Sequence, residues 1–117
     1  MPDRATAALG VALATTHAAM GAIVAPSVPS YFAWWALAYV VGATCAQALF
    51  LVVHETAHDL AWPSTRGNKA VALIANLPLV LPFAIAFRAY HRDHHAHLHV
   101  RGRDCDLPTE WEVRHFD

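Results

Sequence analysis

The sequence predicts an all-α membrane protein: an N-terminal transmembrane helical hairpin, then a re-entrant or interfacial segment and a cytoplasmic His-rich helix. Composition is the first reason, because apolar residues make up 56% of the 117 residues and charged residues only 15%. A small soluble domain would struggle to bury so much apolar surface. Two long apolar runs precede the first histidine pair, and seven of the eight Lys and Arg residues follow those runs.

The hairpin is predicted from residues 5–25 and 31–53. The first run is Ala-rich, carries His17, and is long enough to cross a bilayer. A Pro/Ser break, APSVPS, separates it from the second run, which has no charged residue and would extend about 34 Å as a helix. A signal peptide is the weaker interpretation of the first run, because the four residues before it carry little positive charge.

The third apolar stretch, residues 71–87, is expected to bend rather than cross the membrane. A polar loop is predicted before it, at 59–70, and Pro78 and Pro82 interrupt it. Seventeen helical residues cover only about 25 Å, too short for two crossings. A single crossing would put the histidines before and after it on opposite sides of the membrane, where they could not share a metal site. One short span is therefore the less favoured alternative. The basic residues make 88–117 cytoplasmic by the positive-inside rule.

Nine histidines stand out in the composition, and five of them form two clusters. His54 and His58 follow the second apolar run at i, i+4 spacing, which places both imidazoles on one helix face. His91, His94 and His95 follow the third stretch at i, i+3, i+4 spacing, again on one face. Histidine is the commonest metal ligand, so the two faces predict a metal centre with these five ligands.

Two metal chemistries compete for the stretch HETAH. As H-E-x-x-H it is the zinc-protease signature, in which Glu55 would be the general base. One catalytic zinc takes three protein ligands and keeps an open position, however, and five imidazoles exceed that number. Ligand number therefore favours a dinuclear centre, whereas imidazole donors alone do not choose between zinc and iron.

The order and spacing of several motifs resemble the membrane fatty acid desaturase superfamily, and within it the sphingolipid (dihydroceramide) Δ4-desaturases. The resemblance is carried by HETAH, by Asn68 and Lys69, by FRAYHRDHH ending at His95, and by Asp104-x-Asp106-Leu-Pro-Thr. It is strong from about residue 50 onward and weaker across the first hairpin. The family has a third H-x-x-H-H box after further spans, and this chain ends before such a box. We therefore expect an N-terminal part, residues 1–117, of a desaturase domain that is inactive alone.

The resemblance implies an O₂-dependent lipid desaturase with two iron ions held by His54, His58, His91, His94 and His95. Its implied partners are a ceramide, sphingoid or fatty acyl substrate, the bilayer, and an electron donor of the cytochrome b5 type or a ferredoxin. Hydroxylation at the same centre is a close variant. An intramembrane zinc metalloprotease and a non-catalytic membrane fragment are the alternatives. The near-zero net charge and lack of a basic stripe give no indication of nucleic-acid binding.

The clusters His54/His58 and His91/His94/His95 form two histidine boxes. Residues outside these boxes are assigned mainly structural roles. His97 and His99 are expected at the surface. Asp104 and Asp106 are interpreted as loop-forming residues, with a role in shaping a substrate entrance as the less favoured alternative. Glu55 and Asp93 could each hold a neighbouring imidazole or be solvated charges. Thr109 and Glu112 form a capping box, which predicts a helix from 110. Cys45 and Cys105 are expected to be free thiols.

Overall fold

The computed structural model describes residues 2–116 and contains helices but no strands within that range. α1 (Arg4–Ala19) continues through a π-helical segment (Met20–Val24) and a 3-10 helical turn (Ala25–Ser27). α2 (Tyr31–Leu37) runs through a second π-helical segment (Ala38–Gly42) into α3 (Ala43–Ala57). α4 (Thr65–Asn76) ends in a 3-10 turn (Leu77–Leu79) and is followed by α5 (Ala84–Ala96) and α6 (Glu110–Phe116). The predicted all-α class is confirmed.

The first two helical rods form the predicted hairpin. Arg4–Ser27 and Tyr31–Ala57 are both long and apolar enough to cross a membrane. Each begins at a side-chain cap: Asp3 accepts from Ala5 N at 2.9 Å and Ser30 accepts from Ala33 N at 3.1 Å. The start of the first rod lies beside the C-terminal end of the second, where Asp3 N donates to Leu60 O at 2.6 Å.

Small residues allow the two rods to approach closely. Ala7, Gly10 and Ala14 are buried on one face of α1 and pack toward α3. A Cβ placed on Gly10 would lie 2.8 Å from Val52 Cγ1, closer than side-chain carbons approach. Such close contact through small residues is the usual basis of helix association in membranes. The fully buried Leu49 of α3 lies in the same core.

The third apolar stretch is bent, and its N-terminal helix starts earlier than the sequence indicated. α4 begins at Thr65, capped by Ser64 Oγ, which accepts from Gly67 N at 3.1 Å. The expectation of a loop over 59–70 was therefore wrong for its second half, because a Ser cap outweighs the polar composition of that stretch. The buried Asn68 secures the remaining turn: its side chain accepts from Ala61 N and Trp62 N, each at 3.0 Å.

A turn at residues 80–83 separates α4 and α5, whose axes differ by 118°. Val80 adopts a left-handed conformation there, with φ of 68°. Asn76 satisfies the backbone on both sides of the turn, because its side chain donates to Leu81 O at 2.6 Å and accepts from Ala84 N at 2.7 Å. α5 consequently folds back along α3, which brings the two histidine clusters to the same end of the molecule.

Candidate metal centre

The C-terminal end of α3, with its C-cap His58, and the C-terminal half of α5 bring four histidines together. His54, His58, His91 and His95 each offer a ring nitrogen, and these atoms all lie within 4.8 Å of one another. His58 Nε2 and His91 Nε2 lie 2.9 Å apart, within hydrogen-bonding distance. Thirty-three residues separate these two in the sequence, so the contact depends on the bend between α4 and α5.

This cluster fits a metal ion by its donor type and spacing. Imidazole nitrogens about 2.1 Å from one ion lie roughly 3.0–3.4 Å apart at octahedral or tetrahedral angles, close to the 2.9 Å observed. Burial, and then the neighbouring His54 and His95, lower the pKa of His58. Burial, followed by His54 and His58, also lowers the pKa of His91. Both changes favour the neutral imidazole that a metal requires.

The fifth predicted ligand, His94, lies beside this cluster and is paired differently. Its ring centroid is 5.3 Å from that of His95 and 6.1 Å from that of His91. Its Nδ1 lies 2.6 Å from Asp104 Oδ1 and 3.4 Å from Asp106 Oδ2. The hydrogen bond that His94 donates to Asp104 raises the pKa of His94, and the same bond helps to lower the pKa of Asp104 to about 2.

Arg88 fixes α5 against the end of α3. Its Nη1 donates to two carbonyls of the last turn of α3, Thr56 O at 2.5 Å and Ala57 O at 3.1 Å. Its Nη2 donates to Asp59 Oδ2 at 2.6 Å, and this hydrogen bond lowers the pKa of Asp59. An Arg at a helix C-terminus both satisfies free carbonyls and complements the helix dipole. Sequence reasoning missed this residue.

Aromatic side chains cover the side of the cluster that faces the apolar helices. The ring of Phe87 stacks on His91 with centroids 4.8 Å apart and an interplanar angle of 13°. Phe50 lies 5.3 Å from Phe87 and 5.9 Å from Phe83, measured between centroids. The cluster therefore borders aromatic side chains on one side, while Asp59 and Arg92 line a cavity beside His58 and His95 on the other.

The sequence left open whether Glu55 and Asp93 hold a neighbouring imidazole or are solvated charges, and the two residues differ in their contacts. Glu55 Oε1 lies 3.4 Å from His54 Nδ1, so it contacts a predicted ligand. Asp93 instead pairs with His97 at 3.0 Å, outside the four-histidine cluster.

The predicted capping box is confirmed, since Thr109 N donates to Glu112 Oε2 at 2.8 Å and Glu112 N donates to Thr109 Oγ1 at 3.2 Å.

Comparison with protein-family models places the sequence in a known family. Residues 29–116 match the model described as fatty acid desaturase. The chain belongs to the fatty acid desaturase family. It is 51% identical over 80 residues to the sphingolipid delta(4)-desaturase of Schizosaccharomyces pombe, covering 68% of the chain and 22% of the relative.

Two further relatives of this member of the family are also described as sphingolipid delta(4)-desaturases. The Candida albicans protein is 45% identical over 85 residues, which is 71% of this chain and 23% of the relative. The human sphingolipid delta(4)-desaturase DES1 is 38% identical over 77 residues, 64% and 24% respectively. The chain thus spans about a quarter of the length of the curated relatives it matches. No solved structure is significantly similar to it.

Proposed function

We propose that this chain forms part of a membrane-bound lipid desaturase that introduces a double bond into a sphingoid or fatty acyl chain. The observation that carries the proposal is the convergence of His54, His58, His91 and His95 within 4.8 Å, beside two helices that could cross a membrane. Membership of the fatty acid desaturase family and the names of the relatives support the reaction class and the lipid substrate.

Desaturation breaks two C–H bonds, forms one C=C bond and reduces O₂ to two molecules of water. The lipid supplies two of the four electrons, and an external donor of the cytochrome b5 or ferredoxin type supplies the other two. Two bound iron ions would supply the O₂ chemistry. In this chain, the four clustered histidines and His94 would hold metal, and Phe50 and Phe87 would place an apolar chain beside them while excluding water.

The five histidines are too few for two irons that are each five- or six-coordinate. We propose that further ligands lie in a third H-x-x-H-H box, as the family resemblance implies, outside the matched region. The residues of this chain would then form one wall of the centre. Within it Arg88 keeps α5 in place and Glu55 orients His54.

A chimera tests the proposal directly. In the Schizosaccharomyces pombe relative, the segment that aligns with this chain is replaced by the residues of this chain. The chimera is then expressed in cells that lack the relative. We expect unsaturated sphingoid bases to reappear by mass spectrometry, and His58→Ala or His91→Ala to abolish them. A chimera that is inserted in the membrane at normal abundance but forms no double bond would overturn the proposal.

The zinc-protease alternative is separated by Glu55→Gln in the same chimera. A protease would lose its general base, whereas a desaturase keeps its metal ligands, so we expect double-bond formation to stay within a few-fold of the parent. Glu55 contacts His54 at 3.4 Å, at the long end for a hydrogen bond, which is why only a small loss is expected. Abolished desaturation would instead assign Glu55 an essential role.

We further propose that both histidine boxes face the cytoplasm and that α4 and α5 enter the membrane surface without crossing. Pro63→Cys and Leu98→Cys, in a background with Cys45 and Cys105 replaced, should react with an impermeant maleimide from the same side. Val28→Cys, in the turn between the two rods, should react only from the other side. Labelling of the first two positions from opposite sides would contradict the bent arrangement.

A further inference from the structure

The loop after α5 returns to place a buried carboxylate against a predicted ligand. Asp104 is 5% exposed, although the residues around it in the sequence are mostly polar and accessible. Burying a carboxylate costs free energy unless hydrogen bonds compensate for the lost water. The position of Asp104 therefore needs a partner that holds it there, and the structure supplies three.

Both oxygens of Asp104 are used. Oδ1 lies 2.6 Å from His94 Nδ1 and accepts from Asp106 N at 3.0 Å. Oδ2 accepts from His99 N at 2.8 Å. His99 has a φ of 63°, a left-handed conformation that is uncommon for a residue other than glycine. The loop thus adopts an unfavourable conformation at the point where it presents its backbone to the carboxylate.

An acidic partner decides which nitrogen of an imidazole is free. An ionised carboxylate only accepts hydrogen bonds, so His94 must carry its proton on Nδ1 to donate to Asp104. The lone pair that can bind a metal is then on Nε2. Partners of this kind fix the tautomer and orientation of metal-binding histidines in many proteins.

We propose that Asp104 is a positioning residue that fixes His94 in the Nδ1–H tautomer and so presents Nε2 to the metal centre. The inference rests on the proposed function, because it assigns a role to a residue behind one of the proposed ligands. Asp106 is the matched control: its carboxylate lies farther from the same nitrogen, at 3.4 Å, and its side chain is 68% exposed.

The first measurement needs neither metal nor lipid substrate. In the full chain labelled with ¹⁵N-histidine, reconstituted in nanodiscs at about pH 9, where imidazoles are neutral, the ¹⁵N shifts report the tautomer. His94→Gln assigns the resonances. We expect His94 as the Nδ1–H form. Finding it as the Nε2–H form would overturn the proposal.

The second measurement compares Asp104→Ala with Asp106→Ala. Alanine has no acceptor, so His94 Nδ1 loses the group to which it donates and the imidazole returns to its intrinsic preference for the Nε2–H form. We expect Asp104→Ala to give the Nε2–H form and to weaken Co²⁺ binding, followed by visible absorption, about 10–100-fold. Asp106→Ala should leave both unchanged within about threefold.

These results are independent of desaturation. An unchanged tautomer or unchanged Co²⁺ affinity in Asp104→Ala would mean that the carboxylate only folds the loop, and would overturn the proposal. If both change as expected while the chimera forms no double bond, the positioning role stands as a property of the metal site and the proposed function fails.

Discussion

Replacing Arg88 with Met tests whether one side chain holds the two histidine boxes together. The guanidinium donates to Thr56 O, Ala57 O and Asp59 Oδ2, and the Arg88 side chain is only 12% exposed. Hydrogen bonds involving a charged group contribute about 1.5–3 kcal/mol each when measured by mutation, but their effects overlap and Asp59 is partly solvated. We expect the free energy of unfolding to fall by about 2–4 kcal/mol.

Arg92→Met is the matched control, since Arg92 donates to the same Asp59 oxygen at 3.0 Å and its side chain is 55% exposed. An exposed pair of this kind contributes about 0–1 kcal/mol. Both variants remove one positive charge, so the difference between them isolates the contacts to the end of α3. SDS titration of the full chain in mixed micelles, followed by circular dichroism, gives both free energies. Values for Arg88→Met and Arg92→Met within about 0.5 kcal/mol of each other would refute the role of Arg88.

Two further predictions concern the hairpin and the histidines. Gly10→Ala should destabilise the chain by about 1–3 kcal/mol in the same titration, because the added Cβ would lie too close to Val52. Gly21→Ala is the control and should not destabilise it, because an added Cβ there meets nothing within 4 Å. Equal effects of the two variants would contradict close packing at Gly10. Because the pKa values of His58 and His91 are lowered on folding, the unfolded chain takes up protons first as pH falls below about 6.5. Their contribution to the stability of the metal-free protein should be present above that pH and decline below it, and His91→Asn should flatten this decline.

The parts of the fold that depend on local sequence were predicted well. The span 31–53 was recognised from its lack of charge, and the structure extends it to Ala57 because the helix continues through the first histidine box. The spacing of the five histidines placed each set on one helix face, and four of them converge. The ligand set itself stays a prediction, as does the membrane side of the boxes.

The contacts that sequence reasoning missed are the ones that join distant segments. Arg88 lies 32 residues from Thr56, and no periodic pattern connects a basic residue after one apolar stretch with the carbonyls at the end of another. Asp104 was interpreted mainly as a loop-forming residue. Its second role depends on the left-handed residue His99, and a single sequence does not show such a conformation.

Metal binding by variants that lack one box tests most directly whether α3 and α5 form one centre. The affinity of the full chain for Co²⁺ is compared with that of His54→Ala/His58→Ala and of His91→Ala/His95→Ala. If both helices contribute to one site, each double variant should lose at least about 100-fold in affinity, or roughly 2.7 kcal/mol, for all bound metal. If either variant keeps a site of wild-type affinity, the boxes bind metal separately and the shared centre is wrong.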